Sequence, residues 1–335
     1  MPGASAGAAT SRRVFMLGAT GTIGRATVRA LVARGHEVVC LVRARAGAPP
    51  APAAIDPFAG AKLRFGDALD PASLARDGLR GERFDVVVSC LASRTGAPRD
   101  AWAIDHRAHV QALAAARAAG VMHMVLLSAI CVQKPLLAFQ HAKLAFESEL
   151  VASGLDYSIV RPTAYFKSLS GQIERVQQGK PFLVFGDGRL TACKPISDRD
   201  LAEYLADCVD DRALRNRVLP IGGPGPAITP CAQGEMLFAA LGKPPRFRHV
   251  PVRLLDALTG TLGAAARVVP ALAAKAELAR IGRYYATESM LVLDPRTGRY
   301  DAEATPATGR DTLAEYYAQV ARGAPVAERA EHAVF

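Results

Sequence analysis

The chain has 335 residues, half of them hydrophobic, and a formal net charge of +10. That is enough apolar material for one large α/β domain with a smaller lobe, or for two domains. The basic balance favours acidic partners such as phosphates and carboxylates. No dense Lys/Arg run appears, which argues against nucleic-acid binding, and six cysteines without a CxxC pair or zinc spacing leave no metal site in the pattern.

Residues 1–12 carry no apolar core and read as a flexible tail, not a secretory signal, and short for an organelle transit peptide. Together with unpaired cysteines this gives the expectation of a bacterial-type, cytoplasmic chain. No stretch of about 18 apolar residues is free of charge, so no transmembrane helix is expected. Residues 13–18 (RVFMLG) read as a buried strand, 22–34 as a helix and 36–42 (HEVVCLV) as a second strand. Pro, Gly and Ala at 46–60 mark a loop, followed by a short strand at 62–65 and a short helix at 71–79. Residues 84–91 form a fourth strand, 100–119 a long helix, 121–128 a fifth strand, 139–153 a helix and 156–161 a sixth strand closed by Pro162. Strands that alternate with helices and are apolar on both faces predict a Rossmann doubly wound parallel sheet over 13–165. After about residue 165 Gly and Pro become frequent, and 166–335 reads as a smaller C-terminal substrate lobe that returns elements to the main sheet.

The first strand runs into Gly18, Ala19, Thr20, Gly21, Thr22, Ile23 and Gly24. In this context Gly18 allows the tight turn, Gly21 lets backbone approach a pyrophosphate, and Gly24 lets the helix pack against the sheet. The helix N–H groups near Thr22 and Ile23 then face the phosphates. At the end of the second strand, where an NAD site places an acid, stands Arg43 followed by Arg45; with Arg25 it offers guanidinium groups to a 2′-phosphate, so NADPH is the expected cofactor. Asp67 ends the third strand near the expected adenine, and Cys90, Leu91 and Ala92 end the fourth beside the cofactor path.

The GATGTIG loop with a downstream lysine resembles the extended or atypical short-chain dehydrogenase/reductases. In those proteins the fifth strand ends at a Ser, here Ser128, and a Tyr-xxx-Lys pair follows. Here the pair is Phe139 and Lys143, so Lys143 is implied as the residue that holds the nicotinamide ribose, while Phe139 has no proton to give. The blocks VVSCLASR at 87–94, LSAICVQKPLL at 127–137, YSIVRPTAYFKSL at 157–169, FGDG at 185–188, CKPISDRDLA at 193–202, LPIGGPG at 219–225 and IGRYYATESMLVLDPRTG at 281–298 resemble the divinyl chlorophyllide a 8-vinyl-reductases of the NADPH-dependent type.

This resemblance implies reduction of the 8-vinyl group of 3,8-divinyl chlorophyllide a to ethyl, in chlorophyll or bacteriochlorophyll synthesis. A tetrapyrrole substrate calls for a broad apolar cleft with a basic rim, for which Phe139, Phe166, Lys167, Phe185 and Lys194 are candidates. Tyr165, Lys143, His141 and bound water are the candidate proton donors, Tyr165 and Lys143 being taken as catalytic. The Leu/Ala-rich segment 252–280 reads either as a buried helix pair or as a cover for the pigment or a peripheral membrane contact. Two other readings stay open: an atypical NADPH reductase of a quinone or alkene, and an NmrA-like NADP sensor without catalysis. The oligomeric state has no signature.

Overall fold

The computed structural model describes residues 11–43, 58 and 60–325. Most of the tail, Arg45 and most of the 46–60 loop therefore lie outside the described residues. Seven strands form one parallel sheet in the order β3-β2-β1-β4-β5-β6-β8. They are β1 (Arg13–Leu17), β2 (Glu37–Val42), β3 (Lys62–Phe65), β4 (Val86–Ser89), β5 (His123–Leu127), β6 (Asp156–Pro162) and β8 (Arg217–Ile221). The Rossmann α/β fold follows from this order, which reverses between β1 and β4 and opens a crevice at the carboxyl ends of those strands.

The strands were legible because their side chains alternate between two cores rather than between core and water. Val14, Met16, Val38, Cys40, Val86 and Val88 point to one side, where the helices Thr22–Ala33 and Asp198–Asp210 pack through Leu31, Leu201 and Leu205. Phe15, Leu17, Val39, Val87, Met124 and Leu126 point to the other, against Leu113, Phe146 and Leu150. The helix read at 100–119 instead has three parts: Pro98–Ala101, a π-helical turn Trp102–Ala108, and His109–Ala118. A periodicity of 3.6 cannot distinguish that wider turn, which matters because it carries Asp105.

The C-terminal residues do not form one separate body. Helix Asp198–Asp210 and strand β8 complete the main sheet. Around them β7 (Phe182–Phe185) pairs in parallel with β9 (Phe247–Val250), and β10 (Val292–Leu293) pairs antiparallel with β11 (Tyr300–Asp301). Phe182, Val184, Leu237, Phe238 and Tyr317 build a third core. A fourth, with Ile130, Cys131, Leu137, Ile281, Tyr284 and Met290, binds helix Ala273–Thr287 to the loop after β5. The segment 252–280 is thus not a buried helix pair: helix Val252–Val268 has no buried residue, and Leu254 and Leu258 are exposed. Among the described residues no helix is long and apolar enough to cross a membrane.

Two buried histidines tie charge to stability. Burial holds the imidazole of His109, with help from the Lys143 charge, down at about 4, and burial likewise holds His123 at about 4, against an ordinary value of 6.5. The unfolded chain binds these protons more readily than the fold does, so stability is intact above pH 6.5 and is lost as pH falls toward 4. Each imidazole is expected to cost about 3 kcal/mol at the acid end. Thermal melting across that interval checks this, and His123→Asn should flatten part of the fall.

Candidate active site

The turn after β1 shows what the glycine spacing is for. Gly18 sits at φ +74°, and a Cβ there would collide with the backbone of Cys90 and Leu91 at the end of β4. A Cβ at Gly24 would collide with the carbonyl of Gly18. The loop is closed by the Gly21 N–H donating to Gly18 O at 3.2 Å. The helix it opens has no side-chain cap and no acid in its first turn, so its leading N–H groups are not taken by a side chain. A backbone cradle of this kind fits a dinucleotide pyrophosphate. Thr20, Arg25 and Arg43 are exposed around it. Exposed Asp67 accepts from the Leu69 N–H at 2.9 Å, and its own N–H donates to Ser73 Oγ at 3.0 Å. Cys90 and Leu91 are half-buried and Ala92 exposed beneath the crevice.

Lys143 lies deeper. Its ammonium is 3.0 Å from Asp105 Oδ1, with the lysine side chain 11% exposed and the aspartate side chain fully buried. The same oxygen accepts from the Ser93 N–H at 3.3 Å, which links the pair to the loop after β4. One turn on, His109 Nδ1 faces the Ile104 carbonyl at 2.9 Å and Nε2 faces Ser89 Oγ at 2.9 Å, so its neutral ring bridges helix and strand. Gln140, fully buried in the first turn of the lysine's helix Ala138–Ala152, accepts from the N–H groups of Leu136 and Leu137 at 2.7 and 2.9 Å and so holds that helix start. The thiol of Cys90 is pushed up to about 12 by burial, against the opposing pull of Thr27 and Lys143, so it carries no thiolate to the site. Asp105 was missed in the sequence; an acid in an Ala-rich helix was the available signal.

Other candidates fall in different places. Ser128 is buried and donates its hydroxyl to Glu147, which Arg161 also grips, so the side chain serves a buried ion pair. Phe139 is half-buried and packs on the fourth core, and His141 is exposed. Tyr165 is half-buried; its phenol is pushed well up by burial and by the neighbouring thiols of Cys90 and Cys131. Phe166, expected on a cleft wall, is only 4% exposed and packs on Tyr316 with ring centroids 5.6 Å apart, because the chain turns into a short 3-10 helix, Lys167–Leu169, directly after it. Lys167, expected on the substrate rim, donates to Thr22 Oγ1 at 2.7 Å, at the head of the phosphate-loop helix. Lys194, the other rim candidate, donates to the Thr305 carbonyl at 3.0 Å and so ties two chain segments together. Phe185 is half-buried on β7. Among the described residues no group of three or more His, Cys, Asp or Glu converges as a metal site.

A family model described as NAD(P)H-binding matches residues 18–212. The chain is 51% identical over 332 residues to the chloroplastic divinyl chlorophyllide a 8-vinyl-reductase of Oryza sativa subsp. indica, covering 96% of this chain and 82% of that protein. It is 49% identical to the Zea mays protein of the same name, over 98% and 84% of the two chains. Among solved structures, the NADPH-dependent quinone oxidoreductase of Escherichia coli, complexed with NADPH, shares the fold at a TM-score of 0.66 and 19% identity, over 92% and 99% of the chains. The plant relatives overturn the bacterial-type, cytoplasmic expectation, since each is named as chloroplastic. That expectation rested on residues 1–12, read as neither a secretory signal nor long enough for an organelle transit peptide. The nicotinamide-dinucleotide fold, the loop geometry and half-identity along nearly the whole length place this chain in the divinyl chlorophyllide a 8-vinyl-reductase family.

Proposed function

We propose that the protein reduces the 8-vinyl group of 3,8-divinyl chlorophyllide a to an ethyl group with NADPH. The observation that carries this is half-identity to named vinyl reductases along nearly the whole chain. The site chemistry agrees. A carbonyl reductase needs a phenol to protonate a developing alkoxide; a vinyl group conjugated to a macrocycle disperses the incoming charge into its ring, and Phe139 is then acceptable where a tyrosine would stand.

When bound, NADPH supplies the hydride. The residues around it seat and orient it. Gly18, Gly21 and Gly24 with the N–H groups of Thr22 and Ile23 would cradle its pyrophosphate. Arg25 and Arg43 favour the 2′-phosphate, and Asp67 borders the adenine end. Cys90, Leu91, Ala92 and the Ser128 backbone would flank the nicotinamide half, and Lys143, held by Asp105, its ribose. Residues 13–165 act as the cofactor half and 166–335 supply most of the pigment cleft. Phe139, Tyr165 and Phe185 remain as its half-buried aromatic wall, whereas Lys167 belongs with the phosphates.

The deciding assay follows pigment absorbance and NADPH consumption together. The 8-ethyl product is expected to form one-for-one with NADPH lost, and Lys143→Ala to lower turnover about 100-fold through misplacement of the cofactor. NADPH binding without any pigment reduction would remove this reading. Arg43→Ala is expected to weaken NADPH about 10-fold, at about 1.5 kcal/mol for one charge-assisted contact, and to leave NADH unchanged; fluorescence titration of both cofactors measures it. Lys167→Met should weaken both cofactors about equally, by about 10-fold, because its site is the shared pyrophosphate. A shift confined to pigment KM would return Lys167 to the substrate rim.

A further inference from the structure

Phe139 leaves the reaction without its customary phenol, and helix Ala273–Thr287 brings one in from the far end of the chain. Three contacts fix that helix over the loop after β5. Glu277, 2% exposed, accepts from the Ala138 N–H at 3.0 Å. Ile281 is buried in the same core as Ile130, Cys131 and Leu137. The Tyr284 hydroxyl is shared between the carbonyls of Cys131 and Lys134, at 2.9 and 3.1 Å. Tyr284 is therefore a structural anchor, and its neighbour points elsewhere, the two rings standing at 87°. The Tyr285 hydroxyl lies 3.9 Å from Cys131 Sγ. Cys131 is in turn close enough to feel the charge of Lys143, and Tyr285 close enough to feel Tyr165. Lys143, Tyr165 and Tyr285 are thus all neighbours of Cys131, in the loop after β5, and Tyr285 is in contact with it.

We propose that Tyr285 is the proton donor for the vinyl reduction, an inference that rests on the reading above. Two phenols stand there, and they differ in how far their rings reach solvent. Tyr285 is 40% exposed and Tyr165 half-buried, so the path from water to the Tyr285 phenol is the shorter one for reprotonation after each turnover. Tyr165 is only partly accessible and has the Cys90 and Cys131 thiols, both held protonated by burial, as its neighbours. The step balances as follows. A hydride adds to the terminal vinyl carbon and forms its C–H bond. The C=C π pair passes to the inner carbon and the conjugated ring. The Tyr285 O–H bond breaks, its proton forms the C–H bond at the inner carbon, and the phenolate takes a proton from water. The substrate gains two electrons and two hydrogens, and NADPH becomes NADP⁺. The neutral phenol is the form that donates, and a phenol is neutral at physiological pH.

The test is single-turnover reduction of 3,8-divinyl chlorophyllide a by wild type, Tyr285→Phe and Tyr165→Phe, in H2O and D2O, with NADPH affinity and thermal melting measured for each. Tyr285→Phe should slow ethyl formation about 100-fold or more, with NADPH Kd, pigment KM and melting unchanged and the solvent isotope effect changed from wild type, whereas Tyr165→Phe, in the cleft wall, should act through pigment KM and keep the wild-type isotope effect. A Tyr285→Phe rate within twofold of wild type overturns the assignment, as does a loss confined to Tyr165→Phe or a loss expressed only in pigment KM. A wild type that reduces no divinyl pigment overturns the functional reading and the donor with it; a wild type that turns over while Tyr285→Phe keeps pace overturns the donor alone.

Discussion

A buried ion pair organises the centre of this molecule. Asp105 has no exposed side-chain surface and Lys143 little, and they meet at 3.0 Å. Neither charge is tolerable there alone, since an unpaired buried charge typically costs about 3–5 kcal/mol. The pair therefore fixes the separation of the helices that bear it, and those helices set the floor of the crevice. Ser93 joins from the loop after β4, His109 stays neutral beneath, and Gln140 holds the start of the lysine's helix. The lysine reaches the crevice with its orientation determined before any ligand arrives.

The glycine loop proposed to seat the phosphates is set by volume. The approach of Gly18 to the backbone of Cys90, and of Gly24 to Gly18, leaves no room for a methyl group at either position. β1, β4 and the first helix are consequently locked to one another through backbone alone, and the side chains around them, Arg25, Arg43 and Lys167, can be given over to charge. The net positive balance of the chain has a local expression here, while other arginines are engaged in ion pairs such as Arg34 with Glu203 and Asp207.

Much of this was legible in the amino-acid order. Runs such as VVVS and HMVLL can only be strands covered on both faces, and each was placed to within about two residues. The glycine loop was legible because strand, turn and helix follow without interruption. What could not be read was proximity across the chain. Asp105 was hidden by a π-helical turn that periodicity does not resolve, and Tyr285 by its distance from the cofactor loop. Phe166 and Lys167 were assigned to one cleft as neighbours. The 3-10 turn that begins at Lys167 sends the first into a core and the second to Thr22. The compartment expectation rested on residues 1–12, and so short a segment carries little information about targeting.

The link from Lys167 to Thr22 has a thermodynamic corollary. Lys167 follows the sixth strand, in the part of the chain that leads into the C-terminal lobe, while Thr22 heads the helix of the phosphate loop. One cation thus serves both halves. Coupling between binding sites is reciprocal: whatever affinity a dinucleotide gains from finding that lysine already in place, the lobe gains in order when the dinucleotide is seated. Occupancy of the crevice and the shape of the neighbouring cleft are then two readings of a single equilibrium.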